Sequence, residues 1–161
     1  MSPKVYIETS VISYLTARPA RDIVVLAHQQ LTRDWWATER NGYDLYASEI
    51  VIAEAERGDA EAARARLEML REMKQLAANI AAEQLVPILL RDTGLPRKAL
   101  ADMAHIALAT VHGMQFLLTW NCKHIANANV LRRVAKTCRL HGYDVPVICT
   151  PEELMGSRYV E

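Results

Sequence analysis

Along this chain, short β-branched and aromatic runs alternate with longer stretches in which apolar residues return every three or four positions. Residues 4–7 read as a first strand. Thr9 and Ser10 then offer helix N-cap hydroxyls, and residues 11–15 begin a helix. The periodicity predicts a second helix over 21–40, with Ile23, Leu26, Ala27, Leu31 and Trp35 on one face and Asn41-Gly42 ending it. Residues 43–47 form the second predicted strand. Ser48 caps a helix to Arg57 that Gly58 stops, and Asp59 caps another to about Met73, with Leu67, Leu70 and Met73 as packing positions. An extended stretch near Leu76 leads into a helix over about 81–92, interrupted by Pro87, which has no backbone donor, and followed by Gly94 and Pro96.

The second half is more regular. Residues 97–112 give the clearest helix, with Leu100, Met103, Ala104, Ala107 and Val111 at helical spacing and Gly113 as a natural stop. Residues 115–119 form a compact apolar strand, 127–140 a helix closed by His141-Gly142, and 145–149 a last strand. Thr150-Pro151-Glu152-Glu153 starts a final turn with proline at the first helical position. Strands alternating with helices imply an α/β fold: a mostly parallel sheet with helices on both faces. Such sheets bind ligands at the carboxyl ends of their strands, near a reversal of strand order. No linker, repeat or low-complexity stretch divides the sequence, so a single domain over 1–161 is expected.

Composition narrows the class. The 161 residues are 51% apolar and 24% charged, enough for a packed core and too apolar for disorder. No apolar run is long enough to span a bilayer, and charge arrives too early for a signal peptide, so a cytoplasmic protein with no membrane partner is expected. Cys122, Cys138 and Cys149 are odd in number and lack CxxC spacing, which argues against a disulfide framework or a zinc knuckle. The five histidines form no HExxH pattern. The formal net charge is zero, so any contact with nucleic acid needs a local basic patch or a metal that masks the acids.

Some polar residues sit where chemistry is expected. Glu8 directly follows the first strand and Asn121 closely follows the strand over 115–119, so both project into one crevice if those strands are neighbours. Taken singly, Glu8 also suits a solvated turn, and Asn121 is a common turn former. Asp102 lies off the apolar stripe of its helix and shares a face with His105, Ile106 and Ala109, where an unpaired carboxylate is costly. The simpler reading is a favourable interaction with the helix N-terminus. Glu54 falls in the otherwise apolar run 50–53, or at a helix edge; Glu49 is explained by the helix dipole, and spacing leaves Glu56 undecided. Acids converging at strand ends suit Mg²⁺ or Mn²⁺, which prefer oxygen ligands, keep several waters and can activate water against a phosphate.

In order along the chain, the run 5–12 (Val-Tyr-Ile-Glu-Thr-Ser-Val-Ile), the segment 48–59 with Glu54, the segment 100–107 with Asp102, and Leu117-Leu118-Thr119-Trp120-Asn121 resemble the four motifs of PIN-domain nucleases. The layout is also similar to VapC-like ribonucleases, the toxins of type II toxin–antitoxin pairs. The resemblance implies a PIN-like, Rossmann-like three-layer fold and a Mg²⁺ or Mn²⁺ site that cuts single-stranded RNA. It also implies a homodimer and a small antitoxin protein that blocks the site. Glu8, Glu54 and Asp102 would hold the ion directly or through its waters, and Asn121 would orient a water or the phosphate. Thr9 or Ser10 would supply a hydroxyl hydrogen bond, and a metal-activated water would be the nucleophile. Glu8 stands where the family commonly has Asp, on a longer arm, and Asn121 also replaces a common Asp, with one charge fewer.

Lys123 and His124 follow Asn121 directly and are candidates for RNA contact, while Arg132, Lys136 and Arg139 are spaced i, i+4, i+7, either for RNA or as a solvated basic face. Trp120 suits base stacking or packing, Trp35 and Trp36 core or dimer interface, and His105 packing or support of the site. The loss of charge at Asn121 motivates a second reading, a catalytically weak or inactive PIN-like domain that binds RNA or protein. A phosphatase or phosphoacceptor reading needs a nucleophilic Asp after the first strand, where Glu8 stands and no DxD follows.

Overall fold

The structure, a computed structural model, describes residues 1–156; residues 157–161, the tail of the expected single domain, lie outside the described residues. The strands are β1 (Lys4–Ile7), β2 (Asp44–Ser48), β3 (Lys74–Leu76), β4 (Phe116–Leu118) and β5 (Val147–Cys149). The α-helices are α1 (Thr9–Thr16), α2 (Ile23–Thr38), α3 (Glu49–Ala55), α4 (Ala60–Leu70), α5 (Ile80–Thr93), α6 (Leu100–Val111) and α7 (Ala128–Leu140). Every strand pairing is parallel and the sheet order is β3-β2-β1-β4-β5. Strand order therefore reverses between β1 and β4, whose registered pairs include Tyr6 with Leu117 and Ile7 with Leu118.

That order decides which helices share a face. Parallel crossovers are almost always right-handed. Stepping β1 to β2 to β3 puts α1–α4 on one face; returning from β3 to β4 and on to β5 puts α5–α7 on the other. The packing agrees: α1 contacts α2, α3 and α4, whereas α5 packs on α6 and α7. The core lies on both sides of β1 and β4, where Val5, Tyr6, Ile7 and Leu117 are fully buried. Strands covered on both faces read as continuous apolar runs rather than alternating ones.

Local signals place most helix starts. Ser48, Asp59, Asn79 and Asn127 each accept a backbone N–H as N-caps, as does Asp22 at α2. The first helix differs from expectation: its cap is the Glu8 carboxylate, which accepts from Ser10 N–H at 2.7 Å, while Thr9 and Ser10 lie inside the helix. Gly94 ends α5 in the left-handed region (φ 69°), and a Cβ there would come within 3.3 Å of Arg133 Nη1. Pro87 is tolerated because it is exposed and the carbonyl it fails to engage, four residues back at Glu83, also faces solvent.

Two predicted faces are corrected. The expected helix over 21–40 is α2 followed by a 3-10 turn, Arg40–Gly42. Of the expected face, Trp35 is buried and Leu31 packs on the core, but Ile23, Leu26 and Ala27 are exposed and Gln29 and Thr32 are buried in their place. The cause is polar pairing. Gln29 accepts from Ala20 N–H and donates to Arg18 O, and Thr32 Oγ1 donates to His28 O and accepts from Trp120 Nε1–H at 2.7 Å. On α6, Leu100 is 43% exposed because the regular helix begins only there, after a 3-10 turn at Arg97–Ala99. Among the described residues no helix is long and apolar enough to cross a membrane.

Asn79 satisfies two N–H groups at the start of α5, from Ala81 at 2.8 Å and Ala82 at 3.2 Å. Asn79→Ala is expected to cost about 1 kcal/mol. In a chain of this size that lowers the thermal midpoint by roughly 2–4 °C, which a calorimetric scan would measure.

Candidate active site

Glu8 leaves the end of β1, and its N–H donates to Leu118 O of β4, so it sits at the reversal of strand order. Only 5% of the residue is exposed. One carboxylate oxygen caps α1 through Ser10 N–H, and the Ser10 hydroxyl also interacts with the carboxylate. Burial pushes this carboxyl above the usual range, and the nearby Glu54 charge adds to the rise, against the opposing effects of His105 and the Ser10 N–H.

Glu54, from α3, meets Glu8 through a shared neighbourhood. Its Oε1 accepts from Thr9 Oγ1 at 2.7 Å and is bonded to His105 Nε2 at 2.5 Å. Burial pushes Glu54 up, but the His105 contact and the Thr9 hydroxyl outweigh it, and the carboxyl lies below its ordinary value. His105, buried on α6, bonds through Nδ1 to Tyr6 Oη at 2.7 Å, and Tyr6 Oη bonds Ser48 Oγ at 2.7 Å. A polar chain of five side chains thus runs from the cap of α3 through β1 and α6 to Glu54 and Thr9. Glu54 only accepts, so His105 donates to it from Nε2; with a neutral ring Nδ1 accepts from Tyr6, whose oxygen then accepts from Ser48, and with a protonated ring both links reverse.

Asp102 stands one turn before His105 on the same face of α6. Asn121 Nδ2 donates to its Oδ1 at 3.0 Å, and His124 Nδ1 lies 2.9 Å from its Oδ2. Asn121 Oδ1 in turn accepts from His124 N–H at 3.0 Å, and Asn121 N–H donates to Thr119 Oγ1. The loop after β4 is thereby folded onto Asp102. Ser10 Oγ accepts from Trp120 N–H at 2.8 Å and joins that loop to α1.

The fold therefore places Glu8, Thr9, Ser10 and Asn121 just past the carboxyl ends of β1 and β4, with Glu54 bonded to Thr9 and Asp102 bonded to Asn121. The Thr9 and Ser10 hydroxyls are engaged by Glu54 and the Trp120 backbone, and Lys123 is exposed beside the site. Trp120 is packing: it is 8% exposed, its indole N–H is bonded to Thr32, and its ring stacks on His28 at 4.0 Å. Trp35 is fully buried, whereas Trp36 is half-buried beneath Arg40. Sequence spacing did not assign His105 to Glu54 or His124 to Asp102. The signals were the i, i+3 pairs Asp102/His105 and Asn121/His124, which show their partners only once α3, α6 and the loop are docked.

The donor set bears on a metal. Its acidic side chains and the Asn121 amide offer oxygen donors, which suits a hard cation. Among the described residues, however, no three His, Cys, Asp or Glu side chains converge closely enough to hold one ion. The residues fit an ion that keeps several waters and takes one or two carboxylates directly, as Mg²⁺ often does. They do not fit a dry cage of four protein ligands.

Glu8 generates a pH prediction. A carboxyl with a raised native pKa makes the folded state hold its proton more tightly than the unfolded chain does. Stability is then lost as pH rises from the ordinary carboxylate value through the raised one. Glu8→Gln keeps an acceptor for Ser10 N–H and removes the charge. In chelator at neutral pH it is expected to melt above the parent, with the difference shrinking as the pH falls below the ordinary carboxylate range. Equal melting temperatures at neutral pH would contradict the raised value.

No family model and no curated protein sequence matches the chain. Solved structures do match in fold. The VapBC2 complex of Rickettsia felis, bound to a promoter DNA fragment, is similar at TM-score 0.60 and 13% identity, over 91% of this chain and 98% of that one. FitAcB of Neisseria gonorrhoeae matches at 0.56 and 16%, over 93% and 99%. VapC20 of Mycobacterium tuberculosis, a sarcin–ricin-loop-cleaving toxin, matches at 0.52 and 20%, over 70% and 86%. At these identities the likeness speaks for architecture: the chain has the PIN-like α/β fold seen in VapC toxin structures, with a parallel sheet between two helical layers.

Proposed function

We propose that this protein is a Mg²⁺- or Mn²⁺-dependent endoribonuclease and the toxin of a toxin–antitoxin pair. The observation that carries the reading is Glu8 at the reversal of strand order, with Glu54 bonded to the neighbouring Thr9 and with Asn121, after β4, bonded to Asp102. The fold shared with a toxin that cuts the sarcin–ricin loop supports RNA as substrate, and the likeness to VapBC2 supports an antitoxin partner. The exposed apolar Ile23, Val24 and Leu26 of α2 offer a surface for a protein partner, either that antitoxin or a second copy in a homodimer.

In this reading Glu8, Glu54 and Asp102 would hold the ion directly or through its waters, and Asn121 would orient a water or the phosphate. The ion supplies an activated water and charge neutralisation at the scissile phosphate. His105 keeps Glu54 ionised and oriented, because its ring is locked between that carboxylate and Tyr6. Asn121 presents its amide oxygen toward His124 N–H, which fixes the loop beside Asp102. Lys123 is available to a phosphate at the mouth of the site.

One feature favours a second reading, a catalytically weak or inactive PIN-like domain that binds RNA or protein. Both oxygens of Asp102 are already hydrogen-bonded, to Asn121 and His124. Single-turnover cleavage of single-stranded RNA with Mn²⁺ separates the two, since a binding module leaves the RNA intact at any enzyme concentration.

Two variants test the assignment. Asp102→Asn is expected to reduce Mn²⁺-dependent cleavage by more than the about 10–100-fold that follows loss of an outer-shell partner, while the fold persists. Cutting at the parental rate would remove Asp102 from the site. Asn121→Asp sets a second carboxylate against Asp102. It is expected to lower the melting temperature in chelator and to tighten Mn²⁺ binding in a calorimetric titration, and unchanged affinity would take Asn121 out of the ion's reach.

A further inference from the structure

Zero net charge conceals a strong division along the chain. Residues 79–142 carry eight Lys and Arg against three Asp and Glu, while the remainder carries eleven against sixteen. The excess is concentrated on α7, which holds Arg132, Arg133, Lys136 and Arg139 and no acid. Its other face is buried through Val130, Val134, Thr137 and Cys138, so the cations are directed outward by the packing of the helix.

These side chains line an open groove of about 800 Å³ together with Asp92 and Leu140. The one acid in its wall is already engaged, by Arg91 at 2.8 Å and by Thr137 Oγ1 at 2.9 Å. Arg133 is held by Thr93 O at 2.8 Å, which anchors α7 to the end of α5. Arg132, Lys136 and Arg139 have no hydrogen-bond or ion-pair partner among the described residues. A salt-bridged surface would have matched them with acids; this one leaves a row of uncompensated charge.

We propose that this groove binds the phosphate backbone of single-stranded RNA outside the cleavage site, and so holds the strand that the site cuts. The proposal rests on the ribonuclease reading for the identity of the strand. The row from Arg132 to Arg139 is about 10 Å long at the helical rise. Three cations over that length face successive phosphates of one strand. Its near end is tied to the site. Asn127 caps α7 and donates Nδ2 to Cys122 O in the loop that carries Asn121, Lys123 and His124, so Arg132 lies little more than one helical turn from that loop. The charged groups on the groove are all cationic apart from the engaged Asp92, which suits a polyanion read without sequence preference.

The test measures binding, not cutting. Affinity of a fluorescein-labelled single-stranded RNA for the full-length Asp102→Asn chain would be followed by anisotropy across a salt series. The same background would carry Arg132→Gln/Lys136→Gln/Arg139→Gln or the corresponding charge reversals to Glu. Each lost phosphate contact lowers the slope of log K against log salt by about 0.7, so either triple variant is expected to lose about 2 from the slope, equally for unrelated RNA sequences. Circular dichroism would confirm that both variants are folded, and two triple variants guard against a local defect of either one. An unchanged slope in folded triple variants, with RNA still bound, overturns the groove and leaves the nuclease reading standing. No RNA binding by the unsubstituted Asp102→Asn chain overturns both. Poly-glutamate binding as tightly as RNA, and lost in the same variants, would reassign the face to an acidic protein and overturn the RNA assignment.

Discussion

The centre of the molecule is organised by a hydrogen-bonded chain that closes on a carboxylate. Ser48, Tyr6, His105, Glu54 and Thr9 come from the edge of α3, from β1, α6, α3 and α1, and each link is 2.5–2.7 Å. Tyr6 is completely buried in the middle of the sheet, a place that tolerates a hydroxyl only when both its donor and acceptor are used. Glu54 supplies the one fixed polarity, because a carboxylate only accepts. A partly satisfied network there would be worse than an apolar core, so the packing of α3, α6 and β1 is bound to the charge of one carboxylate.

The same chain explains why the candidate site is half rigid and half adaptable. Glu54 is held on Oε1 by two donors, which leaves its other oxygen aimed by geometry already settled in the core. Glu8 is fixed by capping its own helix. Asp102 instead depends on the loop after β4, whose Asn121 and His124 are polar side chains on a connecting segment. Loops positioned by a rigid sheet are where function commonly resides, because they can exchange partners without disturbing the core. An arriving cation would compete with Asn121 and His124 for Asp102, not with the packing of the sheet.

Charge is distributed with the same logic. Acids lie at the strand ends where they repel one another unless something positive is present, and the uncompensated cations lie on α7, beyond the loop that links the two. Neither feature shows in the net charge. A polyanion attracted to α7 would meet the carboxylates only at the loop, so attraction and repulsion act on different parts of one strand rather than cancelling at one point.

The sequence alone determined the elements and their order, because these rest on local chemistry. β-branched and aromatic runs marked the strands, Ser48, Asp59 and Gly94 marked helix ends, and the alternation of the two implied a parallel sheet. It also put Glu8 and Asn121 at strand ends, but that those strands are neighbours came only from the sheet order. It erred on α2, where apolar periodicity pointed to Ile23 and Leu26, because Gln29 and Thr32 are drawn inward by partners some distance along the chain, among them Trp120. Only the tertiary structure decided that His105 belongs to Glu54 and Tyr6, and His124 to Asp102. Those residues are separated by as many as 99 positions, and a hydrogen bond across such a distance exists only after the helices have docked.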